Sequence, residues 1–244
     1  MKKITNIGGH VPGLFADMLD QPHVLIAGAS GSGKSVLLNG LICSILRYHP
    51  NAKQMILIDP KRTELNEYAD MPHTLQHATE PEDIVSALEY AMQITENRYK
   101  AMQRRRERLY NGADVYVIID EFADLMTTNK RQTMPTVQRL CQIGRAAKVH
   151  IILATQCPLA KILPTEIKVN FTAICGLHTR SRQDSRNIIG CPGCENLPRF
   201  GRCLYLTPEG FTRNLVPYTS DNDILAFTEF YRRQRSFVHR LFVS

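Results

Sequence analysis

Apolar residues fall in short runs separated by longer helical patterns. The runs His23 to Gly28, Met55 to Asp59, Val115 to Asp120, Val149 to Thr155, Ala173 to Leu177 and Arg202 to Leu206 predict strands. Most are apolar at consecutive positions, as in strands covered on both faces. One intervening helix has a marked start: Thr79 can cap it, Pro81 suits its first turn, and Glu82 stands in capping-box spacing, with Asn111-Gly112 ending the segment. No repeat or low-complexity tract breaks the alternation, so the pattern predicts an α/β domain with a mostly parallel sheet flanked by helices. Residues 1–21 read as a lead-in arm, 22–219 as the principal domain, and 220–244 as a C-terminal helix, Ile224 to Gln234, with a short apolar tail.

Composition narrows this picture only a little. A chain of 244 residues with 43% hydrophobic content is the right size to bury one substantial core. Its longest apolar runs fall far short of the roughly 20 residues that cross a bilayer, and no signal segment opens it, so a soluble, cytoplasmic protein is expected. The 7 cysteines then read as mostly reduced thiols. A net charge of +7 favours a polyanionic partner without choosing between nucleic acid and anionic lipid.

Chemistry enters at Gly28-Ala29-Ser30-Gly31-Ser32-Gly33-Lys34-Ser35, which follows an apolar strand and runs into the helical pattern Val36-Leu37-Leu38. Residues and context together are those of a phosphate-binding loop. Glycines let backbone N–H groups turn toward phosphates, and the helix N-terminus adds a positive dipole end. Lys34 is placed to reach the terminal phosphates of ATP, and Ser35 to offer its hydroxyl to Mg²⁺.

A second signal is Val115 to Ile119 running into Asp120-Glu121. An apolar strand ending in two acids puts one carboxylate on the metal shell and the next beside an attacking water, so Asp120 is the expected metal ligand and Glu121 the expected general base. The Met55 to Asp59 strand, lying in sequence between these two motifs, suggests the additional-strand, catalytic-glutamate branch of P-loop proteins, to which RecA-like motors belong. Gln156 stands at the C-terminal end of a further strand, where open α/β sheets gather ligand-facing groups, and can sense a γ-phosphate.

These segments, with Ile58-Asp59-Pro60-Lys61, Glu64-Leu65, Asp120-Glu121-Phe122-Ala123-Asp124-Leu125-Met126, Gly144-Arg145-Ala146-Ala147-Lys148-Val149-His150, Leu153-Ala154-Thr155-Gln156 and Asp184-Ser185-Arg186, resemble the successive motifs of the FtsK/SpoIIIE motor domain over about residues 20 to 207. The resemblance implies a RecA-like P-loop NTPase that assembles as a homo-oligomeric, hexameric ring around double-stranded DNA and moves along it using ATP. Arg145 matches the family's arginine finger, which serves the neighbouring subunit; a guanidinium suits charge on a transferring phosphoryl group. Lys168, Arg182 and Arg186 align with basic positions in the family's DNA-facing loops. Where the family usually carries Arg after the Ala-Thr-Gln motif, this chain has Cys157. Full-length members add a membrane-anchored region and a winged-helix module that this sequence does not contain, which suggests a component of a phage, plasmid or integrated element. The alternatives are a related secretion-type ATPase acting on protein, and an adaptor whose assembly is switched by nucleotide.

Other features carry less. Arg104-Arg105-Arg106 with Arg108 reads as a solvated helix end. Cys191-Pro192-Gly193-Cys194 has the spacing of half a zinc site but lacks recognisable partners, and reads as a reduced loop pair.

Overall fold

The computed structural model describes residues 13–48, 53–157, 159 and 161–242, of which 48 and 234–242 by backbone alone. Its strands are β1 (His23–Ala27), β2 (Lys53–Ile58), β3 (Thr74–Ala78), β4 (Asp114–Ile119), β5 (Val149–Thr155), β6 (Ala173–Gly176), β7 (Arg202–Thr207) and β8 (Gly210–Leu215). The helices are α1 (Gly13–Asp20), α2 (Lys34–Tyr48), α3 (Pro81–Arg105), α4 (Phe122–Thr128), α5 (Lys130–Ile143), α6 (Thr165–Lys168), α7 (Arg182–Ile189) and α8 (Asp221–Phe242). All strands join one sheet in the order β3-β2-β4-β5-β1-β6-β7-β8. Pairing is parallel from β3 to β6 and antiparallel for β7 and β8.

The apolar runs come from burial on both faces. In β1, Val24 and Ile26 enter the core formed with α1, α2 and α8, while Leu25 and Ala27 enter the opposite core with α3, α4 and α5. β2, β4 and β5 alternate in the same way over residues 55–58, 115–119 and 151–154, so those stretches are apolar at every position. The two strands that the pattern did not predict lie at the edges of the sheet. β3 is only half-buried, and β8 is mostly exposed, so neither needs an apolar run. The Met55 to Asp59 run forms β2, but β2 lies outside β4; the strand lodged between β1 and β4 is β5.

Two helix boundaries differ from expectation. α3 begins with Glu80 as N-cap, without a side-chain cap bond, and Pro81 follows; Thr79 does not cap it. It stops at Arg105 rather than running to Asn111, because Arg106 turns left-handed and the chain then peels off to bond Ala146. α8 starts earlier than Ile224, at a reciprocal cap: Ser220 Oγ accepts from Asp223 N–H at 3.2 Å, and Asp223 accepts from Ser220 N–H at 3.2 Å. Its backbone remains helical through the expected tail, to Phe242. From residue 13 the expected arm is α1, whose Leu14, Phe15 and Met18 are buried; residues 1–12 lie outside the described residues. Among the described residues no helix is long and apolar enough to cross a membrane.

At the start of β1, His23 is 2% exposed and accepts the Ile151 N–H through Nδ1 at 3.0 Å, which requires a neutral ring. Burial, then the positive charge available to His150, lowers its pKa from 6.5 to about 4. Between those values the unfolded chain binds the proton that the folded chain refuses, so stability is full above about pH 6.5 and lost as pH falls toward 4. A loss of about 3 kcal/mol across that window follows from the shift. Urea titrations at several pH values should show it, and His23→Gln should flatten it; an equally steep decline in that variant would rule out His23 as the source.

Candidate active site

The β1–α2 turn hugs the sheet. Gly28 N–H donates to Thr155 O at 3.3 Å and Ala29 N–H to His178 O at 2.8 Å, tying the loop to the ends of β5 and of the segment after β6. A Cβ on Gly28 would lie 2.6 Å from Leu177 Cβ and 2.7 Å from Ser32 Oγ, so the close approach requires glycine. Ser30 and Gly31 form an exposed tip, and Ser32 is buried with its hydroxyl unpartnered. Gly33 O accepts from Leu37 N–H at 3.0 Å, carrying the loop into α2, which opens with Lys34, Ser35 and Val36.

Lys34, at the start of α2, and Asp120, just past the end of β4, form a buried pair. Nζ lies 2.5 Å from Asp120 Oδ1 and 2.8 Å from its carbonyl, with the side chains 4% and 1% exposed. Burial pushes the Asp120 carboxyl up, and the ammonium opposes that shift without cancelling it. Beside this pair, Ser35 Oγ donates to Glu64 Oε1 at 2.5 Å. Asp59, fully buried, accepts the Glu64 and Leu65 N–H groups at 2.9 and 3.0 Å through one oxygen, while its other oxygen has no partner. Hydroxyl and carboxylate oxygens are the donors a hard divalent cation takes, and an unpaired carboxylate oxygen is a buried acceptor in need of a positive partner. The donor set therefore fits Mg²⁺, which Ser35 and Asp120 would hold; once bound, it would neutralise phosphate charge.

Glu121 is 1% exposed and bonded at both oxygens. Oε1 accepts from Thr155 Oγ1 at 2.8 Å, from Gln156 N–H at 3.0 Å and, as the N-cap of α4, from Ala123 N–H at 3.4 Å. Oε2 accepts from Lys61 Nζ at 3.3 Å and Gln156 N–H at 3.2 Å. Lys61 also lies 3.8 Å from Asp124. Burial pulls the Lys61 ammonium down, but the carboxylates of Glu121 and Asp124 outweigh it and leave its pKa raised. The expected base is thus held by one charged and several neutral donors.

Lys34, Ser35, Asp120, Glu121 and Gln156 meet at the C-terminal ends of β1, β4 and β5. Arg145 does not: it is exposed in the turn that leads into the start of β5. Spanning the seven residues of β5, at roughly 3.3 Å each, separates it from Gln156 by about 20 Å. Arg182 and Arg186 are exposed four residues apart, on one face of α7. Lys168 reaches the C-terminal part of the same helix, donating to Asn187 O at 2.8 Å. Arg182 also lies 3.7 Å from Glu195. Sequence reading gave no role to Asp59, Lys61, Glu64, Thr155 or Arg199, whose Nε donates to Gly31 O at 3.3 Å. The acidic and basic residues directly after the β2 run were the available signal. Cys194 is buried and Cys191 half-buried; no cluster of three or more His, Cys, Asp or Glu among the described residues is arranged to hold a metal.

The fold and this constellation define a P-loop ATPase domain. The FtsK/SpoIIIE family model matches residues 8–114 and 109–159. DNA translocase FtsK of Treponema pallidum is 38% identical over 228 residues, covering 85% of this chain and 28% of that protein. DNA translocase FtsK of Agrobacterium fabrum is 33% identical over 275 residues, covering 94% and 31%. The chain belongs to the FtsK/SpoIIIE family, and it spans about a third of the length of these curated relatives. Among solved structures, the pCW3 conjugation coupling protein TcpA, in a monomer form with ATPgS, matches with a TM-score of 0.76 at 21% identity over 89% of this chain and 65% of that one. The cytoplasmic domain of the Thermomonospora curvata type VII secretion ATPase EccC matches at 0.73 and 22% over 86% and 28%. Such identities speak for the fold alone.

Proposed function

We propose that the chain is an ATP-hydrolysing motor domain that moves double-stranded DNA as a ring of identical subunits, six by family resemblance. The observation that supports the reading is that Lys34, Ser35, Asp120, Glu121 and Gln156 gather at the C-terminal ends of the parallel strands, while Arg145 is exposed beside the N-terminal end of β5. Lys34 exchanges Asp120 for the terminal phosphates of ATP, Ser35 and Asp120 hold Mg²⁺, and Glu121 takes a proton from the attacking water. Gln156, held to Glu121 through its backbone, senses the γ-phosphate. Arg145 is too far to serve its own nucleotide and serves that of a neighbour. Residues 22–219 carry the motor's sheet and site, and α1 before them and α8 after them pack into the same core.

A motor that pushes DNA of any sequence must grip phosphates rather than bases, so its contacts are cationic and its affinity falls with salt. Arg182 and Arg186, with Lys168 at the far end of α7, supply a strip of this kind. Duplex DNA is expected to raise ATP turnover. Arg182→Ala with Arg186→Ala should abolish that stimulation, spare basal turnover, and flatten the salt dependence of binding by about one unit of slope per lost phosphate contact. Unchanged stimulation and slope would remove α7 from the DNA interface. Stimulation by peptide but not by duplex would overturn the DNA-motor reading in favour of a protein-translocating one, and nucleotide binding without turnover would favour an assembly switch.

A further inference from the structure

The turn that presents Arg145 is fixed with unusual completeness, and much of what fixes it comes from α3 and the loop that follows. Every carbonyl from 143 to 148 has a donor. Ile143 O accepts from Tyr99 Oη at 2.9 Å, and Ala146 O from Tyr110 N–H at 2.9 Å. Gly144 O and Arg145 O accept from Val149 and Lys148 N–H at 2.9 and 3.2 Å. Ala147 O and Lys148 O accept from Arg98 Nη1 at 2.8 and 3.0 Å, and Val115 N–H shares Lys148 O at 2.9 Å. Gly144 permits the closure: a Cβ there would lie 2.6 Å from Leu140 O and would collide with Val149 O. Lys148 closes the turn with a left-handed φ of 54°.

Arg98 is the unusual member of this set. It is 8% exposed, stacks over Tyr110 with Cζ 4.5 Å from the ring centroid, and makes no ion pair among the described residues. Burying a cation with no carboxylate in direct contact is costly, yet this one spends its donors on the turn, with the charge of Asp114 as distant support. What the turn leaves unbound is the exposed Arg145 side chain.

We infer that Arg98 is a positioning residue for Arg145, clamping the 143–148 turn so that the finger is presented to a neighbouring subunit in one fixed pose. The inference rests on Arg145 acting across a subunit boundary. A finger must meet the transferring phosphoryl group within a fraction of an ångström, and a misplacement of about 1 Å caused far from the chemistry can cost on the order of 100-fold. Arg98 reaches from α3 to the N-terminal end of β5, whereas the phosphate loop lies at the C-terminal ends of the strands, so it affects turnover without touching ATP binding in its own subunit.

The test measures ATPase kinetics of the full chain carrying Arg98→Met, Arg98→Lys, Arg145→Ala and the Arg98→Met/Arg145→Ala pair. Arg98→Met is expected to lower kcat on the order of 10- to 100-fold with little change in KM for ATP, and Arg98→Lys, which keeps a charged donor, to recover part of the loss. The pair should be no slower than Arg145→Ala alone, because Arg98 acts only through Arg145. Losses that multiply in the pair, or wild-type kcat in a folded Arg98→Met, would overturn the inference while leaving the finger intact. Wild-type turnover in Arg145→Ala would remove the finger reading and this inference together. If Arg98→Met does not fold, Tyr99→Phe, which removes only the hydroxyl on Ile143 O, replaces it: a lower kcat that vanishes in the Arg145→Ala background supports the clamp, and an unchanged or independent effect refutes it.

Discussion

Glu121→Gln is expected to lower ATP turnover by roughly 10²- to 10⁴-fold while leaving ATP binding in place, the span typical of a lost general base. The side chains are nearly isosteric, and the amide oxygen can keep the bonds from Thr155 Oγ1 and Gln156 N–H that now go to Oε1. The amide nitrogen faces Lys61 and loses the longer bond from Gln156 N–H, but that N–H still reaches Oε1 and the Lys61 side chain is 38% exposed and can swing away, so the fold should survive. Lys34→Ala should behave differently, because it removes the ammonium that the phosphates need and leaves the 1% exposed Asp120 carboxylate unpaired. It is expected to lose nucleotide binding. Single-turnover assays and titration with a fluorescent ATP analogue separate the two outcomes; equal turnover in Glu121→Gln and the parent would take Glu121 out of the proton-transfer role.

The contrast between these variants depends on features that differ in how far a sequence displays them. The loop from Gly28 to Ser35 and the acids Asp120 and Glu121 are legible because each is a local string whose chemistry dictates its spacing. The central strands are legible because both faces of β1, β2, β4 and β5 are buried, which forces continuous apolar runs. β3 and β8 lie at the sheet edges, where a half-exposed segment such as Gly210–Leu215 satisfies its environment without any such run. The order of strands is equally hidden: nothing local in Val149–Thr155 says that it lies between β1 and β4. Lys61 and Glu64 sit in a recognisable segment, yet their grip on Glu121 and Ser35 is set by the packing of β2 beside β4. Arg98 looks like one more charge on a helix, and only the fold brings it to Ala147, 49 residues away.

Arg145→Ala is expected to cut turnover by an amount comparable to other arginine fingers, on the order of 10³ to 10⁵. The loss should be repairable by a partner. Because Arg145 enters the start of β5 and the phosphate loop leaves the end of β1, alongside the end of β5, no rotation of one side chain joins them within a subunit. A head-to-tail contact between copies would join them, and such contacts close into rings when the rotation allows. In a random equal mixture of Arg145→Ala and Lys34→Ala subunits, about a quarter of head-to-tail interfaces pair a sound phosphate loop with a sound finger. Each variant alone has no such interface. Mixing the two inactive proteins should therefore restore measurable ATPase activity, and mixing either with itself should not. Native mass spectrometry of the mixture establishes that hetero-assemblies form. If such assemblies are present and turnover stays at the level of the separate variants, Arg145 does not act across the boundary, and its exposed guanidinium has some other role.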